Sequence, residues 1–303
     1  MSAVLVTGAD GFVGSAVAEA LRAAGHRVQP VVRALRPESS TDARAVGDIS
    51  ASVAWPSLLK GIEVVVHCAG RAHVLREEAA EPLEAFRTVN RDASVTLARA
   101  AAGSGVRRFI FLSSIGVLGG ETGARPFRAD DPVEPHSAYA VAKAEAEAGL
   151  ASIAAETGME LVVIRPPLVL GRGAKGNLGA LANVMRKGVL LPFGRVTSNR
   201  RDLVSLETLA DLISICVDHP TAAGQTFLVA DGAPLSTRGI VERIATLEGL
   251  RPHFLPVPPA LLGAGLRLLG RGALASQLLG NLEVDIAPTR ERLGWSPPPL
   301  SRG

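Results

Sequence analysis

Val4-Leu5-Val6-Thr7-Gly8-Ala9-Asp10-Gly11-Phe12-Val13-Gly14-Ser15 decides the fold. An apolar, β-branched run ends in a glycine-rich turn and passes at once into an alanine-rich helical pattern over Ser15–Ala24. Gly8 permits a tight turn, Gly11 lets a pyrophosphate approach the backbone, and Gly14 lets the helix pack closely on the strand. The helix N-terminus then offers free N–H groups and the positive end of its dipole to phosphate. A glycine-rich βα turn without a ligand is the plainer alternative. Its place on the first strand of a parallel sheet favours dinucleotide binding, with Asp10, Phe12 and Val13 completing the loop.

Moving outward, apolar runs recur at Val28–Val32, Val64–His67, Phe109–Leu112 and Leu161–Ile164. Alanine-rich helical stretches such as Ala93–Ala102 separate them. Continuous apolar strands joined by helices indicate an α/β fold: a doubly wound parallel Rossmann sheet covered on both faces, with ligands at the C-terminal strand ends. After Gly171 the rhythm breaks. Loops at 173–177 and 191–194 flank a helix at 178–187, and a helix at 206–218 leads to a strand at Thr226–Ala230. The expected division is a dinucleotide-binding part over 1–171, rejoined by 200–230. A smaller substrate-binding lobe takes 172–199 and 231–303.

Composition narrows the function classes. The chain has 303 residues, 47% hydrophobic and only 4% aromatic, with 20% charged and a net charge of +3. It can bury a substantial core of Ala, Val, Leu and Ile. No Lys/Arg run reaches five residues, so no nucleic-acid partner is expected, whereas a phosphate-bearing ligand suits the mild positive balance. Cys68 and Cys216 sit in apolar runs and read as buried and reduced; no metal-ligand spacing occurs. The N-terminus enters a strand without a basic leader, and Leu255–Leu269 is too short and interrupted to span a bilayer. A cytoplasmic protein without membrane insertion is therefore expected.

The chain has one tyrosine and four lysines, and Tyr139 and Lys143 are four apart in Ser137-Ala138-Tyr139-Ala140-Val141-Ala142-Lys143. On a helix that spacing shares a face. A phenol near pKa ~10 is a poor proton shuttle at neutral pH, and bringing it down by ~3 units takes about 4 kcal/mol. One cation at ~4 Å in an effective dielectric of ~20 supplies about that much. A surface helix pair is the alternative. The strand Phe109–Leu112 ends in Ser113-Ser114, where hydroxyls either cap the strand end or face a ligand.

The Gly-x-x-Gly-x-x-Gly spacing after Thr7, together with Tyr139-x-x-x-Lys143, resembles the extended branch of the short-chain dehydrogenase/reductase family. This is the NAD-dependent epimerase/dehydratase group. The likeness runs over nearly the whole chain and implies NAD(P) as cofactor. It implies that Ser114, twenty-five residues before Tyr139, orients the substrate oxygen, with Ser113 on the cofactor side. It assigns Val66-His67-Cys68-Ala69-Gly70 to the strand whose small residues (Cys68, Ala69, Gly70) pass the adenosine, and Asp48 and Ile49 to the adenine. Asn90, in Asn90-Arg91-Asp92-Ala93-Ser94, matches the family's Asn-x-x-Gly-Thr helix with Ala and Ser replacing Gly and Thr. Pro166 matches the strand end beside the nicotinamide. Asn177 and Arg201 resemble diphosphate ligands of a nucleotide sugar; for Arg201 a surface pair with Asp202 is the alternative. The likeness is closest to bacterial enzymes that reduce or epimerise C4 of UDP-N-acetylhexosamines for O-antigen and lipopolysaccharide building blocks, and a homodimer is the family habit.

Two departures stand out. The segment Val117-Leu118-Gly119-Gly120 lacks the aromatic that often lines the sugar pocket. After the second strand Val31-Val32-Arg33-Ala34-Leu35-Arg36 has no acid for ribose hydroxyls; Arg33 and Arg36 could fork onto a 2′-phosphate, so NADP(H) is expected over NAD(H). The expected chemistry is hydride transfer at C4 of a nucleotide sugar, with Lys143 lowering the Tyr139 pKa, Tyr139 passing the proton and Ser114 bonding the oxygen. A reductase of a hydroxysteroid or aryl ketone is the rival enzyme. A cofactor-sensing regulator is the rival of another class.

Overall fold

The computed structural model describes residues 1–37, 39–50, 52–72, 81–174 and 176–299. Strands are β1 (Ala3–Thr7), β2 (Arg27–Val32), β3 (Arg44–Ala45), β4 (Val64–His67), β5 (Arg108–Leu112), β6 (Glu160–Arg165), β7 (Leu168–Leu170), β8 (Leu190–Leu191), β9 (Leu203–Ser205), β10 (Thr226–Leu228) and β11 (His253–Phe254). Helices are α1 (Phe12–Ala23), α2 (Trp55–Leu59), α3 (Pro82–Arg87), α4 (Ala93–Gly103), α5 (Ala138–Thr157), α6 (Gly176–Arg186), α7 (Leu206–Asp218), α8 (Thr237–Glu248), α9 (Pro259–Leu268), α10 (Gly272–Leu279) and α11 (Ala287–Leu293). All five apolar runs read as strands are strands, and the 206–218 helix is α7.

Seven strands form one sheet in the order β10-β6-β5-β4-β1-β2-β3, and every pairing is parallel. The order reverses between β1 and β4. That is the switch point, where the two following loops diverge to opposite faces and leave a crevice. One face of the sheet packs Val4, Val6, Val64, Ile110 and Ile164 against α1 and α7. The other packs Leu5, Val65, Phe109 and Phe111 against α2, α4 and α5. Alternate residues of each strand go to opposite sides, so a run that is apolar at every position is what a doubly covered sheet needs. Cys216 is buried on the α7 side, Cys68 is partly buried, and both are free thiols.

A separate apolar cluster joins Leu170, Leu178, Ala182, Met185, Leu203, Val241 and Ile244, drawn from α6, α8 and the β7–β9 pair. α9 and α10 form a helical hairpin in which the Gly263 backbone approaches Leu279 closely enough that an added Cβ would stand 3.0 Å from its Cδ1.

Candidate active site

The glycine loop has the geometry its spacing predicts. Gly8 has φ +65°, and a Cβ there would stand 2.9 Å from the Ala69 backbone. A Cβ on Gly14 would stand 2.1 Å from the Gly8 carbonyl oxygen, so only glycine lets α1 begin against this turn. Gly11 is the extended N-cap of α1 and lacks a side-chain cap, which leaves the first-turn N–H groups of the helix to a ligand. These residues fit a pyrophosphate. Beside the loop, a cleft of about 450 Å³ opens between α1 and the end of β2, with Asp10 and Arg36 among its walls. The Arg36 guanidinium stands 3.8 Å from the Asp10 carboxylate, and Arg33 is exposed. Asp48 is exposed, held below the ordinary carboxylate range by the Ser50 backbone and hydroxyl donors; Ile49 packs partly buried against the α2–α4 side of the core.

Behind the loop runs a buried relay. Ser94 donates to the Asn90 carbonyl (2.8 Å), so its oxygen accepts from His67 Nε2 (2.9 Å); His67 Nδ1 accepts from Thr7 Oγ1 (2.6 Å), which accepts from the Ala69 N–H (3.2 Å). The carbonyl at one end and the amide at the other fix the direction of every link and the His67 tautomer. Burial, with the Lys143 charge second, pushes His67 down to about 3, so the ring is neutral. Asn90 lies in a π-helical turn over Thr88–Asp92 that leads into α4. Its side chain accepts from the Arg71 amide (2.9 Å) and donates to the Arg71 carbonyl (3.0 Å), which clamps the chain just after Gly70.

α5 starts where Ser137 caps the Ala140 amide (3.2 Å) and stops at Gly158 in the left-handed region. Tyr139, Lys143 and Glu147 follow at i, i+4 and i+8 along it. Lys143 is buried; its ammonium donates to the Leu112 carbonyl (2.8 Å) and lies 4.4 Å from the Phe111 ring centroid. Its Nζ would also be 3.6 Å from a Cβ on Gly70, so the lysine reaches the loop after β4. Burial lowers Lys143 to about 8, partly opposed by Cys68 and Glu147. The Tyr139 ring meets Phe86 edge-on at 6.0 Å. The expected lowering of its phenol is not what the structure shows: burial pushes it up to about 12. The ammonium is directed at the Leu112 carbonyl, and burial is the one cause that sets the direction of the phenol's shift.

The two serines part company. Ser114 caps the short turn Ile115–Val117, its Oγ accepting from the Gly116 amide (3.1 Å). The Ser113 hydroxyl donates to the Glu147 carboxylate. Glu147 also holds Arg165 in a buried ion pair (2.6 Å), and Arg165 donates to the Ala129 carbonyl (2.9 Å). Neither Glu147 nor Arg165 was read as a site residue from sequence. The available signal was that Glu147 continues the four-residue spacing of Tyr139 and Lys143. Pro166 is buried, and its carbonyl accepts from the Ile115 amide (2.9 Å), which ties the turn after β5 to the end of β6.

Arg201 lies apart from these. Its backbone bridges to Leu235, and its Nη1 donates to the Gly280 carbonyl (3.0 Å). Burial lowers its pKa, and Glu121 is the charge that opposes this. It does not pair with Asp202, whose buried carboxylate accepts from the Val284 amide (2.8 Å) and is pushed up to about 6 by burial. Asn177 falls at the start of α6, but its side chain lies outside the described residues. A second cleft, about 250 Å³, is walled by α6 and α8, and its lining includes none of Ser114, Tyr139 or Lys143. Among the described residues no three His, Cys, Asp or Glu side chains converge as a metal site, and no helix is long and apolar enough to cross a membrane.

The family model of the NAD dependent epimerase/dehydratase family matches residues 4–230. This chain belongs to that family. It is 43% identical to a UDP-glucose 4-epimerase of Vibrio cholerae over 97% of its own length and 90% of the relative's. It is 31% identical to a UDP-glucose 4-epimerase of Mycolicibacterium smegmatis, covering 97% and 93%. Among solved structures it resembles MoeE5 in complex with UDP-glucose and NAD, with a TM-score of 0.76 at 25% identity, covering 99% and 94% of the two chains. The protein is therefore an enzyme of a family that works with NAD.

Proposed function

We propose that this enzyme moves a hydride at C4 of a UDP-hexose, with C4 epimerisation the outcome favoured by its relatives. The observation that carries the reading is α5: Tyr139 and Lys143 are one turn apart on it, and the Ser114 turn packs against it. The nicotinamide of a bound NAD(P) supplies the hydride acceptor. Tyr139 exchanges the proton of the C4 oxygen, Ser114 hydrogen-bonds that oxygen, and Lys143 holds the cofactor ribose beside Gly70. Gly8, Gly11 and Gly14 admit the pyrophosphate, with Asp10, Phe12, Val13, Cys68, Ala69, Asn90 and Pro166 shaping the crevice around it. Arg201 and Asn177 take the substrate diphosphate. In this reading residues 1–171 with 200–230 hold the cofactor, and 172–199 with 231–303 hold the sugar nucleotide.

The absence of an acid after β2, with Arg33 and Arg36 in its place, supports a preference for NADP(H). Titration calorimetry with both cofactors tests this, and tighter NAD binding would overturn it. A homodimer through the alanine-rich α4 and α5 belongs to the same proposal. The deciding experiment incubates the enzyme with UDP-glucose and UDP-N-acetylglucosamine and resolves the C4 epimers by chromatography. Tyr139→Phe is expected to lose 10²–10⁴-fold in turnover while binding cofactor; a variant with near-normal turnover would refute the assignment.

A further inference from the structure

The proposed chemistry leaves one exposed feature unused. α9 ends at Leu268 and the chain runs on through Leu269-Gly270-Arg271, where Gly270 (φ +71°) turns it into α10. Leu268 is 88% exposed, Leu269 75%, and Leu261, two turns earlier, 66%. The inner side of this hairpin is closed by Gly263 and Ala275, both buried, so the leucines are not waiting on the protein's own core. Three large apolar side chains on one short hairpin are more than isolated surface leucines.

Charge says what suits them. From residue 249 to residue 282 the chain has no Asp or Glu, but it has Arg251, Arg267 and Arg271, all exposed. None of the three is ion-paired among the described residues. Over 172–199 and 231–303 together there are thirteen Lys/Arg against six Asp/Glu, a net charge of +7, which leaves the rest of the chain at −4. A second copy would bring one +7 segment against another. A neutral apolar partner would leave the guanidiniums unanswered. An anionic lipid surface answers both, since exposed leucines seat at the boundary of headgroups and acyl chains while flanking arginines meet the phosphates.

We propose that the α9–α10 hairpin docks this protein peripherally on an anionic membrane surface, with Leu268 and Leu269 entering the bilayer interface and Arg267 and Arg271 at headgroup level. The inference does not depend on which sugar the enzyme takes. Its test is co-sedimentation of the full chain with vesicles of phosphatidylcholine containing phosphatidylglycerol, against pure phosphatidylcholine. Binding is expected to the anionic vesicles and to fall with salt. Arg267→Gln/Arg271→Gln is expected to weaken it about twenty-five-fold, roughly fivefold per arginine. Leu268→Ser/Leu269→Ser is expected to weaken it at least about tenfold. Both doubles should melt with the wild type and keep its turnover, because these four side chains are exposed and none is among the residues assigned to cofactor or substrate. No binding to anionic vesicles, or binding that neither double weakens, would overturn the proposal. So would a wild-type dimer that the leucine double converts to monomer, which would give the patch to a second copy.

Discussion

The sheet crevice and the C-terminal hairpin treat polar groups in opposite ways. Around α5, most buried polar groups are engaged by the protein: Lys143 by Leu112, Glu147 by Arg165 and Ser113, His67 by Thr7 and Ser94; among the described residues the Tyr139 hydroxyl alone of the proposed proton-handling groups makes no hydrogen bond to the protein. On α9–α10, arginines and leucines stand open side by side. Groups that brace the crevice are buried and bonded, because in low dielectric an unmet partner is costly and a met one is rigid. The hairpin's arginines and leucines are left in solvent, where they cost little to the fold.

That contrast can be broken at several points. The largest expected effect is at Glu147. Glu147→Ala leaves Arg165 buried without its carboxylate and should destabilise the protein by about 3–5 kcal/mol in urea unfolding. A loss under about 1 kcal/mol would show that the pair is solvated. Next is acid. The His67 pKa is depressed to about 3 from 6.5, so the unfolded chain binds its proton first and stability falls as pH drops below 6.5. At pH 5 this amounts to about 2 kcal/mol, read as the difference between wild type and His67→Asn, which keeps one donor and one acceptor. Equal acid sensitivity of the two proteins would sink it.

A smaller effect lies on the alkaline side. Lys143 is depressed to about 8 from 10.5, so between those values the unfolded chain holds a proton that the folded one has lost, and stability rises with pH. The Cys68 thiol, raised to about 12 from 9, opposes this above pH 9. The lysine is therefore read between pH 8 and 9, as a gain of about 1 kcal/mol that Lys143→Met abolishes. Smallest is the exposed pair Arg238–Glu242, at 2.8 Å on α8. Arg238→Ala should change stability by no more than about 1 kcal/mol, with high salt removing most of the ion-pair part; a larger, salt-resistant loss would mean that stacking of Arg238 on Phe254 dominates.

Sequence reading reached those features whose cause is local. The glycine loop is specified by three residues and the strand around them, and Tyr139 and Lys143 by helical spacing. The five long sheet strands are marked by unbroken apolar runs. What escaped depends on register across the sheet. His67 meets Thr7 because β4 pairs with β1 at that residue, and Glu147 meets Arg165 because α5 lies over β6. Nothing in either neighbourhood announces the partner. The direction of the Tyr139 shift escaped for a related reason: helical spacing says which residues share a face, but not how deeply that face is buried or where an ammonium points. The short β8, β9 and β11 strands, two or three residues each, carry too little pattern to be read alone.

The relay from Ala69 through Thr7, His67 and Ser94 to Asn90 constrains how this sequence can drift. Every link points the same way, so no member can be exchanged alone for a residue of opposite hydrogen-bonding sense without stranding a buried donor or acceptor, at about 1–3 kcal/mol. An apolar replacement at Ser94 strands the imidazole; one at His67 strands two hydroxyls at once. Viable descendants should therefore replace these residues as a set, or keep them, and a library randomised at positions 7, 67 and 94 together should return correlated triplets rather than independent choices.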